Sequence, residues 1–329
     1  MLTKLNGKKF GLKTAILLLL VCSLFLLACS KSGETIRVSG AWALYPMMVV
    51  WGTEYSKTHN INIEVSGGGA GKGMSDVLNG QVDIGMVSRP ITNEELEQGA
   101  FYLAVTKDAV VATINKDNPI LDDLFQQGLS REQLRQIFMK ELTHWGEIVD
   151  KELTGDEILV YGRSDASGAA KIWASFLGGV TQADCQARAN ANFNGDQPLA
   201  RAVGDDKNAL GFNNLNYAYN IETGTFAKDI RPLPLDLNSN GTLDEDEAFY
   251  STRDGLVKNI SEGKYPSPPA RLEYIVSKGP FTGKVKNFVA WILTEGQEYV
   301  ESNGYVRLTD DALNREQACL AAGKRDLSE

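Results

Sequence analysis

The chain has 329 residues, of which 43% are hydrophobic, 23% charged and 9% aromatic. This is the make-up of a folded globular protein long enough for two domains, and it excludes a disordered, collagenous or coiled-coil chain. A net charge of −9 opposes contact with a phosphodiester backbone, so nucleic acid is excluded as a partner.

At the start, Lys4, Lys8, Lys9 and Lys13 precede the apolar run 15–28. That run is short for a bilayer-crossing helix and has the layout of a signal-peptide core. It ends in Leu26-Leu27-Ala28-Cys29, which is similar to a bacterial lipobox. Residues 1–28 are therefore expected to be removed, Cys29 to carry the lipid, and residues 29–34 to act as a tether. Losing four lysines and no acids takes the charge from −9 to −13. Acyl chains contribute about 0.8 kcal/mol per buried methylene, enough for two or three to hold a domain on a membrane surface. Of the four cysteines, Cys22 leaves with the leader and Cys29 is modified, so Cys185 and Cys319 remain. They lie in an oxidising compartment, but their spacing does not demand pairing, and two inert buried thiols are expected.

Three later segments share one design, a β-rich run, a small-residue turn and a helical pattern. They are TIRVSGAWALYPMMVVWGTEY, INIEVSGGGAGKGMSDVLNG and EILVYGRSDASGAAKIWASFL. In the first, Leu44, Met47, Met48, Trp51 and Tyr55 share a helical face, with Pro46 suited to a first turn. In the second, Gly80 is placed as a helix C-cap. Between them, VDIGMVS alternates as a strand, and Thr92 with Glu95 and Ser130 with Gln133 have capping-box spacing. The runs DAVVATINKDN and KYPSPPARLEYIV read as strands and as crossings between two lobes, and VKNFVAWILTEGQEYV reads as helix. Strands feeding helices through such turns make an α/β architecture.

The glycine-rich turn at 66–73 is not a Walker A loop, because residue 66 is serine and Lys72 precedes Gly73 rather than a hydroxyl residue. It also lacks the dinucleotide glycine spacing. An ordinary tight turn is the plain alternative. The functional reading is an anion site, since a turn at a helix N-terminus presents free N–H groups and the positive end of the dipole. Three such turns could converge on one oxyanion. The third, 162–168, adds Arg163 as a planar fork, Asp165 to hold it and Ser167 as a hydroxyl. Lys72 and Arg89 could add positive potential or be solvated surface charges.

Residues 236–247, DLNSNGTLDEDE, fit the twelve-residue EF-hand loop. Asp236, Asn238 and Asn240 stand at positions 1, 3 and 5, and Gly241 makes the turn. Thr242 offers its carbonyl, Asp244 stands at 9, and Glu247 closes as the bidentate ligand. A structural Ca2+ of modest affinity is expected in an isolated loop, with no organic cofactor.

The motifs SGAWALYPMMVVW, VSGGGAGKGMSDVLNGQVDIGMVSRPI, DAVVATINKDNPI, LSREQLRQIFMKELTHWGEI and GRSDASGAAKIWASFL together resemble the PstS family of periplasmic phosphate-binding proteins of ABC transporters, over nearly the whole mature chain. The resemblance implies a two-lobed type II periplasmic-binding-protein fold. Each lobe is then a mixed sheet flanked by helices, with a two-segment hinge. Lobe 1 would comprise 35–112 and 271–329, and lobe 2 residues 113–270, closing over a dehydrated phosphate. Carried over by position, the site comprises Leu44, Tyr45, Ala70, Gly71, Ser88, Arg163, Asp165, Ser167, Gly168 and Ala169. Leu44, Ala70 and Ala169 stand where the family commonly has side-chain hydroxyls, so backbone N–H groups, that of Tyr45 among them, would carry more of the binding. Ser88 stands where some members have an aspartate, which weakens discrimination against fully ionised anions.

The expected function is a lipid-anchored, extracytoplasmic, monomeric receptor that binds phosphate and delivers it to a membrane permease, touching the membrane through its lipid alone. Alternatives are a receptor for another oxyanion and a calcium-binding surface adhesin or scaffold. A hydrolase is disfavoured. His59 and His144 are the only histidines, neither is beside a turn, His144 reads as a packed structural residue, and there is no G-x-S-x-G elbow.

Overall fold

The computed structural model describes residues 34–325, so the expected leader and Cys29 lie outside the described residues. Strands occupy β1 (Glu34–Gly40), β2 (Ile61–Gly67), β3 (Ile84–Val87), β4 (Ala100–Asn115), β5 (Leu129–Ser130), β6 (Leu159–Arg163), β7 (Ala191–Phe193), β8 (Ala209–Asn214), β9 (Ile230–Pro232), β10 (Leu235–Asp236) and β11 (Ala270–Lys278). They lie side by side as β2, β1, β3, β11, β4, β8, β6, β7, with β9 added to β4 and β10 paired with β5 apart. Pairing is parallel for β1 with β3 and for β6 with β7 and β8; it is antiparallel where β11 meets β3 and β4 and where β4 meets β8. The sheet is mixed, and helices follow β1, β2 and β6 at Tyr45–Thr58, Ala70–Leu78 and Gly168–Leu177.

Two large hydrophobic cores form along this sheet. One gathers residues of 36–105 and 275–320, including Trp51, Ile84 and Phe288. The other gathers residues of 109–270 with Val306, including Trp145, Trp173 and Phe212. β4 passes from the first core at Val105 to the second at Ala109, and β11 returns from Ala270 to Ile275. Two lobes are thus joined by two adjacent antiparallel strands, with Arg271 directly opposite Asp108 at the crossing. Both strands are central; β4 has no exposed residue and β11 is buried except at Leu272, Tyr274 and Lys278, as strands largely covered on both faces are.

Local signals account for the element ends. Pro46 lies in the first turn of its helix, where its missing N–H costs nothing. Capping boxes form at Thr92 with Glu95 and at Ser130 with Gln133. The C-terminal pattern does not run as one helix: Gly283–Ile292 is α-helical and Glu295–Tyr299 is 3-10. Gly296 breaks it by packing on Trp291 and accepting a hydrogen bond from Trp51 Nε1 at 2.7 Å. His144 is exposed beside Glu147, which corrects the packed reading; Trp145 next to it fills the core instead. Cys185 and Cys319 are free thiols, the first buried and the second half-buried. Burial pushes the Cys185 thiol up to about 11, so it stays protonated and inert.

The helix Ala70–Leu78 lies directly on the sheet. A Cβ on Gly73 would stand 2.6 Å from Met86 O and 2.7 Å from Gly40 Cα, all backbone. Gly73→Ala is therefore expected to cost about 1–3 kcal/mol by overpacking and to lower the urea midpoint; an unchanged midpoint would show that the helix can ride outward freely.

Candidate functional site

The turn after β6 places Arg163 between two carboxylates. Its Nε and Nη2 donate to the two oxygens of Asp165 at 2.8 and 2.7 Å, and its Nη1 donates to Asp196 Oδ2 at 2.7 Å. Arg163 is 1% exposed and Asp196 0%. Burial disfavours the guanidinium charge, but Asp196 and Asp165 outweigh it and raise its pKa. A guanidinium has five N–H groups. Three are used here and two remain, one on each terminal nitrogen.

Asp165 Oδ1 also accepts from Gly195 N at 3.1 Å. Asp196 opens the helix Asp196–Asp205 and accepts from Asn214 N at 2.8 Å and Asn214 Nδ2 at 2.7 Å. Ser167 caps its helix by accepting from Ala170 N at 3.2 Å, which leaves its hydroxyl proton free to donate.

The two lobes meet here. A Cβ on Gly168 would fall 2.0 Å from Ser88 Oγ and 2.8 Å from Ser88 O, while Gly69 faces Asp165 and Gly71 faces Ala166. Gly71 N donates across the junction to Ala166 O at 3.0 Å, and Tyr217 hydroxyl donates to Trp42 O at 3.2 Å. Ser88 is 2% exposed and its hydroxyl makes no hydrogen bond to the described residues. It faces the start of Gly168–Leu177 from the other lobe, so it adds a group that can donate or accept at the junction.

Several expected donors are used elsewhere. Leu44, Ala70 and Ala169 are buried apolar residues, Tyr45 N donates to Ala41 O and Gly71 N to Ala166 O. Lys72 bonds Asp76, and Arg89 is held by both oxygens of Glu95. Neither cation supplies free positive potential. An opening between the lobes, about 910 Å3, is lined by Trp42, Tyr45, Gly195, Asp196, Asn216 and Tyr217. Arg163 lies one side chain behind that wall, through Asp196.

Asp196 and Asn214 were not found from sequence. They lie in GDQPL and FNNLN, which carry no local signal, and reach Arg163 because β8 and the helix after β7 pack beside β6.

In the loop 236–247, Asp236 and Glu247 are buried. Asp236 accepts from Asn240 N and Gly241 N at 3.2 and 2.8 Å, and Glu247 from Leu237 N, Asn238 N and Asp244 N at 2.8, 3.3 and 3.2 Å. The Nδ2 groups of Asn238 and Asn240 donate to Asp244 Oδ2 at 2.8 and 2.9 Å. Gly241 has φ +78°. Leu243 N bonds Gln126 O at 2.8 Å and β10 pairs with β5, which ties the loop to the second lobe. Among the described residues no three His, Cys, Asp or Glu side chains converge as a metal cluster.

Two α/β lobes on paired strand crossings, meeting over unpaired donors, define a bilobal solute-binding protein. The chain belongs to the PBP superfamily, whose domain matches residues 28–295. It is similar to the phosphate-binding protein PstS of Bacillus subtilis, 24% identical over 87% of this chain and 85% of that one. It is also similar to PstS of Pseudomonas aeruginosa, 25% identical over 85% of each. Among solved structures, a protein of Clostridium perfringens with bound phosphate superposes with TM-score 0.67 at 21% identity, over 84% of this chain and all of that one. An ABC-type phosphate transport receptor of Vibrio cholerae superposes with TM-score 0.59 at 21% identity, over 83% and 100%. The PstS resemblance seen in the motifs thus extends over most of the chain.

The contact at Gly168 yields a prediction. Gly168→Ala is expected to hold the lobes apart, giving a larger radius of gyration in solution scattering than the native protein; equal radii would show that Ser88 can yield.

Proposed function

We propose that this chain is an extracytoplasmic receptor that binds inorganic phosphate between its lobes and delivers it to an ABC transporter permease. The observation that carries the proposal is Arg163, buried and held by Asp165 and Asp196 with two N–H groups unused. The fork geometry suits two oxygens of a phosphate. Ser88 and Ser167 supply hydroxyls from opposite lobes, and the amides opening Gly168–Leu177 supply backbone donors. The relatives named phosphate-binding proteins support the choice of ligand. The proposal includes attachment through Cys29, a monomeric state, and moving bodies of 35–112 with 271–329 against 113–270.

One arginine and two aspartates leave the site with a net charge of −1, so binding depends on directed donors rather than on excess positive charge. A ligand bridging both lobes binds the closed form better and shifts the population towards it. Ser88 can donate or accept, so the site does not require a proton on the anion. This favours a broader second reading, a receptor for other tetrahedral oxyanions. Titration of the domain from Ser30 onward, stripped of bound anion, is expected to show saturable phosphate binding with weaker sulfate competition. Arg163→Gln should weaken phosphate about 100-fold, a loss near 2.8 kcal/mol at 1.4 kcal/mol per tenfold. Native-like affinity in that variant would refute the site.

We also propose that loop 236–247 holds a calcium ion. Asp236, Asn238, Asn240, Asp244 and Glu247 would give side-chain oxygens and Thr242 its carbonyl. Two buried carboxylates in a small loop support this, because a bound cation offsets their repulsion. The ion would stiffen the second lobe, where the loop is tied to Gln126 and β5. Calcium is expected to raise Tm in the native protein and not in Glu247→Gln; equal behaviour of the two proteins would remove the site.

A further inference from the structure

The two strands that join the lobes carry a buried charge cluster at the crossing itself. Arg271 on β11 donates from Nε to Glu273 Oε1 at 3.1 Å and from Nη2 to Asp108 Oδ2 at 3.5 Å. All three residues are buried. Asp108 Oδ1, Glu273 Oε2 and Arg271 Nη1 find no hydrogen-bond partner among the described residues. The cluster has two acids for one arginine, and the surplus carboxylate is unpaired inside the protein, where an isolated charge is very costly.

This cluster is wired to the ligand arginine by one side chain. Asn214, at the end of β8, accepts from Arg271 Nη2 on its Oδ1 and donates from its Nδ2 to Asp196 Oδ2 at 2.7 Å. The same Asp196 oxygen receives Arg163 Nη1. The amide has one orientation only, since its oxygen faces a group that can only donate and its nitrogen a group that only accepts. The result is an unbroken path from the anion site to the hinge: Arg163, Asp196, Asn214, Arg271, then Asp108 and Glu273.

We propose that Asn214 is the positioning residue through which the hinge cluster orients Asp196 and Arg163 for the anion, and that anion binding is thereby linked to proton uptake at the Asp108 and Glu273 pair. The proposal rests on the anion-receptor reading above. The groups around Asp108 are Arg271 and Glu273 on β11, Tyr265 and Tyr305 from flanking segments, and Tyr217 and Asp196 from the second lobe. Burial, opposed by Arg271 and by a hydrogen bond from the Ala109 amide and helped by the Asp196 charge, pushes Asp108 up to about 7 from 3.8. Glu273 is pushed well above its ordinary value, again mainly by burial. The Asp196 charge is therefore felt at Asp108. A second negative charge on Arg163 acts in the same direction, so the bound state holds more protons. The sign follows: with the pKa raised, the protonated hinge is lost as pH rises through about 7, and anion affinity falls with it.

The test is calorimetry with inorganic phosphate, at pH 6–8 and in buffers of different ionisation enthalpy, on the native protein, Asp108→Asn and Asn214→Leu. Phosphate contributes its own ionisation equally to native and Asp108→Asn proteins, so the difference in proton count isolates the hinge. Asp108→Asn imitates the protonated hinge. It is expected to bind at pH 8 no more weakly than the native protein and to take up fewer protons. Asn214→Leu, with native circular dichroism, is expected to bind at least tenfold more weakly and to lose the proton difference. Equal proton counts in native and Asp108→Asn proteins, or native affinity in Asn214→Leu, would overturn the proposal. Binding heat with equal counts refutes this link alone, whereas no binding by the native protein refutes the receptor reading beneath it.

Discussion

The buried ion pair of Arg163 with Asp165 and Asp196 is the constraint on which the rest of the site depends. A guanidinium this deep keeps its place only if its hydrogen bonds are directed and its charge is compensated. Each partner is itself held, Asp165 by Gly195 N and Asp196 by Asn214. The arginine is pre-positioned with two donors facing away from its partners. Its fork does not have to be ordered when a ligand arrives, and that saves the side-chain entropy that binding otherwise costs.

Much of this was legible locally. The three strand–turn–helix units could be read because alternation, small residues and helical periodicity all lie within about twenty residues of one another. The pairing of Arg163 with Asp165 lies within a single turn. The third member, Asp196, is 33 residues away and is placed by sheet order, which no local pattern encodes. The same holds for the amides of Tyr45 and Gly71. That a helix start offers free N–H groups is a local fact; that Ala41 O and Ala166 O take these two is a tertiary one. His144 was misread because THW contains one residue that must be buried, and the chain buries the tryptophan.

Local reading was also blind to charge balance. Lys72 and Arg89 look like free cations in the sequence, but each is matched to an acid within six residues. With these neutralised, the cleft has few ways to attract an anion from a distance. On the proposed receptor reading, recognition would rest on short-range donors at the lobe junction, which act only after the ligand has shed its water. Such a site gains selectivity from geometry and gives up electrostatic steering.

The lobes are also joined by bonds between protein groups alone: Gly71 to Ala166, Tyr217 to Trp42 and Asn216 to Asn303. If the lobes close over cargo as proposed, such bonds favour the shut form with or without it, lowering the ligand's share of the work of closing and raising the standing fraction of shut, unloaded protein. For a receptor that signals by shape, that fraction is background noise. A partner that read only the outer contour would respond to both forms, so faithful transfer requires it also to sense what the two lobes enclose.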